Sequence, residues 1–208
     1  MARPSQLALD ATPPRVEFPR DYNAAYDLVE RHVDAGAGDR IAVIDDDGRH
    51  SYRALAAHVR RAAGALAALG VHAEQRVALC MVDSVDFVAT FLGAIALGAV
   101  PVPLNTLLTA EQYAYILADC RARVLFVSEA LLPVLEGIIG LMPDLKHVLV
   151  SGEDAHDHTK LADQLARESD SFITAATHPE EPAFWLYSSG STGMPKGVRH
   201  LHSSLAAT

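Results

Sequence analysis

Two spacings of apolar residues alternate along this chain, one typical of strands and the other typical of helices. Short apolar runs predict strands, most of them buried. These runs occupy residues 40–46, 77–81, 100–104, 124–127 and 147–150. Between them lie longer segments that predict helices, some with apolar residues at every third or fourth position. These segments are 26–33, 55–69, 85–97, 109–118, 131–139 and 161–166.

Single residues mark several of the predicted boundaries. Gly70 and Gly98 each follow the last apolar residue of a predicted helix, where glycine commonly ends the helix. The segment Thr109-x-x-Gln112 has the spacing of a capping box, which predicts that a helix begins there. Three aspartates and a glycine over residues 45–48 predict a turn, and Tyr52 predicts a return to strand after it.

The alternation of strands and helices predicts an α/β fold in which a largely parallel sheet is flanked by helices. Residues 1–22 carry four prolines and no clear period, so we expect a surface lead-in. Residues 169–182 are predicted to form a polar loop.

Composition narrows the range of partners. Half of the 208 residues are hydrophobic, which is enough for a sizeable core in one domain. The formal net charge of −9 argues against nucleic acid and against an anionic membrane surface as partners. A single nucleotide is still compatible with this charge, because it needs only a local group of donors.

The longest uncharged segment, residues 87–110, raises the question of a transmembrane helix. Gly98, Pro101 and Pro103 divide this segment, so we predict a helix followed by a strand within the core. Arg3 is followed by no apolar run, and no signal peptide is predicted. We therefore expect a soluble cytoplasmic protein without membrane insertion.

Four side chains in apolar surroundings are predicted to be structural. Cys80 and Cys120 lie in apolar stretches, without the spacing of a disulfide framework or a metal site. Phe184 and Trp185 adjoin a predicted strand, and aromatic residues in that position usually pack in the core.

Residues 187–197 read YSSGSTGMPKG and carry the clearest chemical signal of the chain. Glycine lets backbone N–H groups turn toward an anion, and Ser and Thr hydroxyls add further donors. Lys196 adds a positive charge. This combination suits a polyphosphate, although the spacing is neither that of a Walker A loop nor that of a dinucleotide fingerprint.

A flexible Ser/Gly linker is the other interpretation of this run. The apolar segment Ala183–Tyr187 leads directly into it, as a buried strand would, and Val198 resumes the apolar pattern afterwards. A proline followed by a lysine, as at Pro195 and Lys196, is also not needed in a flexible linker. We therefore favour a phosphate-binding loop.

The same residues resemble a known family. YSSGSTGMPKG is similar to the phosphate-loop signature of the adenylate-forming enzymes, which include acyl- and aryl-CoA ligases, luciferases and the adenylation domains of peptide synthetases. FWLYSSGSTG over residues 184–193, together with residues 100–133, resembles the benzoate-CoA ligase branch. The resemblance covers nearly the whole chain from about Asn23 onward.

The resemblance implies a fold, an activity and its co-substrates. Residues 23–208 would be the N-terminal part of an AMP-binding domain that is incomplete at its C-terminal end, and residues 1–22 its lead-in. ATP with Mg²⁺, coenzyme A and a small aromatic carboxylate such as benzoate would be bound. The expected reaction forms an acyl-adenylate and pyrophosphate, and then an aryl-CoA and AMP.

The resemblance also assigns site residues by position. Gly193 and Gly197 would supply turn geometry, and Pro195 would hold the exit of the loop. No catalytic residue is expected within this chain, because the adenylation lysine of the family falls beyond Thr208, so the chain alone is expected to be inactive. Contact with the phosphates of ATP is expected of Ser188, Ser189, Gly190, Ser191, Thr192, Gly193, Lys196 and Gly197.

Two other functions stay open at this point. An adenylation domain that passes its acyl group to a carrier protein has the same loop signature. A truncated fold could also be a non-catalytic nucleotide-binding module, which would bind ATP without acid-dependent pyrophosphate exchange.

Two polar clusters could be metal sites, but another interpretation is favoured for each. His200 and His202 would share one face of a strand, and without a third ligand nearby a structural role is favoured. Asp45, Asp46 and Asp47 could hold magnesium, but a solvated turn is favoured. No metal site is therefore predicted.

Overall fold

A parallel sheet built from the apolar runs lies at the centre of the fold. The computed structural model describes residues 2–12, 15–188 and 194–206. Its strands are β1 (Gln6–Ala8), β2 (Arg15–Glu17), β3 (Ile41–Asp45), β4 (Gly48–Ser51), β5 (Arg76–Cys80), β6 (Val100–Pro103), β7 (Val124–Ser128), β8 (His147–Ser151), β9 (Thr159–Lys160), β10 (Pro182–Ser188) and β11 (Lys196–Leu201).

The helices alternate with the strands of this sheet. A π-helical turn over Tyr26–Glu30 precedes α1, and a 3-10 turn over Glu129–Leu131 precedes α5. The α-helices are α1 (Arg31–Asp34), α2 (Tyr52–Ala68), α3 (Val85–Leu97), α4 (Ala110–Cys120), α5 (Leu132–Ile139), α6 (Leu161–Ala166) and α7 (His202–Ala206).

The central sheet has the strand order β6-β5-β7-β8-β9, and all of its neighbouring strands are parallel. The N–H groups of Val100, which begins β6, and Leu104, which follows it, donate to the carbonyls of Gln75 and Leu79. Pro101 and Pro103 alternate with these donors, so their missing N–H groups cost no hydrogen bond to β5. The predicted largely parallel sheet is confirmed.

Consecutive residues of β5 point to opposite layers of the fold. Val77 and Leu79 pack with α2, α3 and α6 on one face. Ala78 and Cys80 pack with α4 and α5 on the other face. Because helices cover both faces, the strands are apolar throughout instead of alternating with polar residues.

The boundary signals in the sequence correspond to the observed helix ends. Gly98 follows α3 with φ +82°, and Gly70 lies just beyond α2 with φ +74°. The capping box is present at the start of α4, where the Gln112 N–H donates to Thr109 Oγ1 and the Thr109 N–H donates to Gln112 Oε1. These predictions are confirmed.

The prediction of strand at Tyr52 is wrong, because Tyr52 is the first residue of α2. The side chain of Ser51 accepts a hydrogen bond from the Ala54 N–H at 3.2 Å and so caps the helix. The strand ends one residue earlier, in the β3–β4 hairpin.

Asp45 does not belong to a solvated turn, since only 6% of its side chain is exposed. Its Oδ1 accepts hydrogen bonds from the N–H groups of Asp47 and Gly48, which close the β3–β4 turn. Its Oδ2 accepts from the Val85 N–H at 2.8 Å, at the start of α3. Asp45 therefore joins the hairpin to a helix, whereas Asp46 and Asp47 are exposed as predicted.

The N-terminal segment is attached to the body of the fold at both ends. β1 and β2 form an antiparallel hairpin, and Ala2 and Tyr22 are buried. The buried carboxylate of Asp27 accepts hydrogen bonds from the Ser5 and Tyr22 hydroxyls. The segment expected to be a surface lead-in is thus partly built into the core, and the domain boundary at residue 23 stays a prediction.

The uncharged segment 87–110 is divided as predicted. α3 ends at Leu97 and β6 begins at Val100. Within the described ranges, none of the helices has the length and apolar character needed to cross a membrane.

Both cysteines are fully buried in the layer between the sheet and α4, which confirms their predicted structural role. Burial raises the pKa of the Cys80 thiol, and it raises the pKa of Cys120 to about 12.

Candidate phosphate-binding site

The predicted phosphate loop joins the two strands of an antiparallel hairpin, β10 and β11. Ser188 is paired with Lys196, and Tyr187 is paired with Gly197. Ser188 and Lys196 therefore lie at the mouth of the hairpin, one on each strand. The other predicted phosphate contacts, namely Ser189, Gly190, Ser191, Thr192 and Gly193, lie outside the described residues.

Lys196 is exposed, and among the described residues it has no hydrogen-bonded or ion-paired partner. Ser188 is also exposed. An unpaired ammonium group beside a hydroxyl donor can bind an anion without first breaking an ion pair within the protein. The contacts of these residues with phosphates stay a prediction.

β10 is only half-buried, whereas its sequence predicts a buried strand. Ala183 is buried, but Leu186 is 39% exposed. Trp185 and Tyr187 pack toward α4, whereas Phe184 packs on the other side, against Phe91. Most residues of β11 are exposed, including the apolar Val198. One face of the hairpin is therefore uncovered.

The side chain of Tyr187 joins both strands of the hairpin to α4. Its hydroxyl donates a hydrogen bond of 2.5 Å to Asp119 Oδ2 near the end of α4. Its ring covers Gly197, where an added Cβ would lie 3.1 Å from the ring carbon Cζ. The pKa of the Tyr187 phenol is raised, mainly by burial and to a smaller extent by the hydrogen bond to Asp119.

Gly197 does not supply turn geometry, whereas its predicted contact with the phosphates stays a prediction. It lies within β11 and not in a turn, and its backbone does not have a positive φ. Its missing side chain makes room for the ring of Tyr187.

Pro195 anchors the second strand of the hairpin. It is buried, and with Leu108, Gln112, Ile116 and Tyr187 it lines a small cavity of about 120 Å³ beside α4. That Pro195 holds the exit of the loop stays a prediction.

Trp185 and Phe184 pack against other side chains, as expected. The Arg76 guanidinium lies 5.5 Å from the centre of the Trp185 ring. The Nε1 atom of Trp185 is buried without a hydrogen-bond partner among the described residues. Phe184 stacks on His200, with ring centres 4.5 Å apart.

His200 and His202 do not share a strand face, because β11 ends at Leu201 and His202 begins α7. His202 is 2% exposed, and its Nδ1 accepts a hydrogen bond from the Ala24 N–H at 3.1 Å. Burial lowers the pKa of His202 to about 4. The role of His202 is structural, and the described part of the chain holds no cluster of three His, Cys, Asp or Glu placed to bind a metal.

A second concave region lies at the carboxyl ends of β5, β7 and β8, with a volume of about 700 Å³. Ligands of open α/β sheets commonly bind at such ends. Here, however, the polar groups pair with one another. Ser151 donates to Asp86 at 2.7 Å, and Glu129 accepts from the N–H groups of Glu153 and Asp154. The hairpin mouth, whose lysine has no partner in the described part of the chain, is the stronger candidate site.

Asp119 is the site residue that the sequence does not reveal. It stands near the end of an amphipathic helix, where a charged residue is ordinary, and no motif includes it. Only the packing of α4 against β10 brings it to Tyr187, 68 positions later in the chain.

Sequence comparison identifies one family and two close relatives. The family described as "AMP-binding enzyme" matches residues 29–208. The benzoate–CoA ligase of Thauera aromatica is 47% identical over 198 residues, which are 95% of this chain and 37% of that protein. The 4-hydroxybenzoate–CoA/benzoate–CoA ligase of Rhodopseudomonas palustris is 49% identical over 185 residues, which are 89% of this chain and 34% of that protein.

Structural comparison agrees with this result. The crystal structure of the anthranilate CoA ligase AuaEII in complex with anthranoyl-AMP matches with a TM-score of 0.86 at 36% identity. The match covers 89% of this chain and 36% of that chain. The expected fold class is confirmed, and the chain spans about a third of the length of the proteins it matches.

Proposed function

Because the chain belongs to the AMP-binding enzyme family, we propose that the protein activates an aromatic carboxylic acid with ATP and transfers it to coenzyme A. Benzoate or a close analogue is the proposed acid. Support comes from the identity of nearly half of all aligned residues with two benzoate-activating ligases. The complex of a structural relative with anthranoyl-AMP supports an acyl-adenylate intermediate.

The observation that carries the proposal is the pairing of Ser188 with the exposed Lys196 at the mouth of the β10–β11 hairpin, where no described residue forms a hydrogen bond or ion pair with the lysine. A hydroxyl donor and a positive charge are thus fixed on neighbouring strands, at the two ends of a loop rich in glycine and hydroxyl groups. Such a loop can surround a chain of phosphates with donors.

The proposed reaction has two steps. A carboxylate oxygen of the acid attacks the α-phosphorus of ATP, and the bond from that phosphorus to the bridging oxygen of pyrophosphate breaks. The sulfur of coenzyme A then attacks the acyl carbon, and AMP leaves with the oxygen that had joined it to the acid. The first step brings two anions together, so donors oriented toward the phosphates lower its barrier.

Different residues of the loop are assigned different contacts with the phosphates. We assign hydroxyl donation to Ser188, Ser189, Ser191 and Thr192, backbone N–H donation to Gly190 and Gly193, and charge neutralisation to Lys196. Removing one oriented donor typically costs on the order of 3 kcal/mol of transition-state stabilisation.

Magnesium would enter with ATP and neutralise part of the phosphate charge. Among the described residues no three metal-binding side chains cluster, so we assign no residue of this chain to the ion. Coenzyme A likewise receives no assigned residue here.

We further propose that residues 23–208 are the N-terminal part of the adenylation domain, since the chain aligns with 37% and 34% of the lengths of these two relatives. The pocket for the acid and the adenylation lysine are then contributed by sequence outside the 208 residues.

Product analysis tests the proposed function. The protein expressed from its complete gene is incubated with ATP, Mg²⁺ and benzoate, and the products are identified by mass spectrometry. We expect benzoyl-AMP without coenzyme A and benzoyl-CoA with it. A panel of hydroxybenzoates, anthranilate, a fatty acid and amino acids defines the acid. Nucleotide binding without any acyl-AMP would instead favour a non-catalytic module, and an aminoacyl-AMP would favour transfer to a carrier protein.

A further inference from the structure

α4 lies beside the β10–β11 hairpin, close to its mouth. Asp119 of this helix accepts the hydrogen bond from the Tyr187 hydroxyl on the first arm. Pro195, just before the second arm, lines the same small cavity as Gln112 and Ile116 of the helix. The hydrogen bond from Tyr187 to Asp119 thus ties the first arm to α4, one residue from the mouth.

Tyr187 is placed to transmit this contact to the mouth of the hairpin. It directly precedes Ser188, and its partner in the register, Gly197, directly follows Lys196. Because its ring lies over Gly197, a shift of Tyr187 would displace the backbone on both sides of the mouth.

α4 itself is well fixed, which makes Asp119 a suitable anchor. The helix begins with a complete capping box at Thr109 and Gln112. Tyr113, Ile116 and Cys120 of this helix are buried against the sheet. Asp119 itself is exposed, but the helix fixes its backbone, so its hydrogen bond limits where the phenol of Tyr187 can lie.

We propose that Asp119 is a positioning residue for ATP: acting through Tyr187, it holds Ser188 and Lys196 in the arrangement that binds the phosphates. The inference rests on the proposed function, because it concerns how the same loop binds its substrate. Asp119 itself need not contact ATP.

Kinetics of ATP use separate positioning from simple stabilisation. Acid-dependent exchange of labelled pyrophosphate into ATP is measured for Asp119→Ala, Tyr187→Phe and the double variant. We expect each single change to raise the KM for ATP about tenfold, the scale of one hydrogen bond to a charged group. The double variant should be no worse than either single one, since all three remove the same hydrogen bond. Asp119→Asn keeps an acceptor and should recover most of the affinity.

A matched control comes from the same helix. Glu111 is exposed in the first turn of α4, so Glu111→Gln removes a carboxylate without touching the hairpin and should leave the KM for ATP unchanged. Equilibrium dialysis with labelled ATP gives a second reading of nucleotide binding that does not depend on turnover.

The outcomes distinguish this inference from the proposed function. If the unmodified protein binds ATP and the Asp119 and Tyr187 variants lose only thermal stability, with an unchanged KM, the positioning role is wrong and the proposed function stands. Additive effects of the two changes would also overturn it. If the unmodified protein neither binds ATP nor catalyses exchange, both proposals fail.

Discussion

The imidazole of His202 accepts a hydrogen bond from the backbone N–H of Ala24, 178 positions earlier in the chain. The contact ties the start of the first core segment to the residue directly after β11. Only the unprotonated Nδ1 can accept this bond, and the surroundings are buried enough to disfavour a charge.

Stability should therefore decrease in acid through His202. The pKa of His202 is about 4 in the folded protein, whereas an unfolded histidine has a pKa of about 6.5. Below about pH 6.5 the unfolded state binds the proton more readily, so the stabilisation present above this pH is lost progressively until about pH 4. The full loss is on the order of 3 kcal/mol.

Urea unfolding between pH 4 and 7.5 measures this dependence. His202→Gln should be less stable than the unmodified protein at neutral pH and should show a flatter pH profile. The control His72→Gln changes an exposed imidazole and should preserve the slope. An unchanged slope in His202→Gln would show that other groups cause the acid sensitivity.

Replacing two helical glycines by alanine should change the stability of the fold in opposite directions. An added Cβ at Gly93 of α3 would lie 2.7 Å from the Ala62 Cβ and 3.0 Å from the Val59 carbonyl oxygen of α2. Gly93→Ala should therefore destabilise the fold by about 1–3 kcal/mol through forced separation of the helices.

Gly137 of α5 has no atom within 4 Å of the corresponding position. Gly137→Ala should stabilise the fold by up to about 1 kcal/mol, because alanine favours the helix. Denaturant titration of both variants provides the comparison, and equal effects would contradict the close α2–α3 packing.

Both thiols should be protected in the native protein. Cys80 and Cys120 are fully buried, and burial raises the pKa of each thiol, so little reactive thiolate is available. Ellman's reagent should react slowly in native buffer and rapidly with both thiols in guanidinium. Rapid reaction of either cysteine without denaturant would show that the layer between α4 and the sheet opens readily.

Lys196 should determine the affinity for ATP more than its neighbour Arg199 does. Both residues are exposed cations on β11, but only Lys196 stands at the hairpin mouth, paired with Ser188. Lys196→Ala should raise the dissociation constant for ATP by about tenfold or more, as expected for a lost charge-assisted contact.

Equilibrium dialysis with labelled ATP measures this effect. Arg199→Ala removes the same charge and should leave the affinity nearly unchanged. An equal loss in the two variants would indicate general electrostatic attraction instead of a phosphate contact.

Local signals in the sequence predict much of the fold. The uncharged run and the glycine at its end correspond to α3 and Gly98 with positive φ, and Thr109 with Gln112 corresponds to the cap of α4. Such features depend on neighbours in the chain, so a single sequence contains them. The strand order β6-β5-β7-β8-β9 depends on crossover connections and is not encoded in any one segment.

The sequence predicts the chemistry of the site but not the contacts that position its residues. Lys196 and the hydroxyl run indicate phosphate binding from residue types alone. The hydrogen bond from Tyr187 to Asp119 and the ring contact with Gly197 arise only when α4 packs beside the hairpin. The sequence likewise predicts a solvated turn at Asp45. It does not reveal that Asp45 binds the Val85 N–H at the start of α3, because Val85 is 40 positions away.

Isotope exchange tests the activation of an aromatic acid most directly. The protein expressed from its complete gene is given ATP, Mg²⁺ and labelled pyrophosphate, with and without benzoate. We predict label in ATP only when benzoate or a close aromatic analogue is present, with most of this exchange lost in Lys196→Ala and kept in Arg199→Ala. Exchange that is independent of aromatic acids, or none with any aromatic acid in a protein that binds ATP, would contradict the proposed activity.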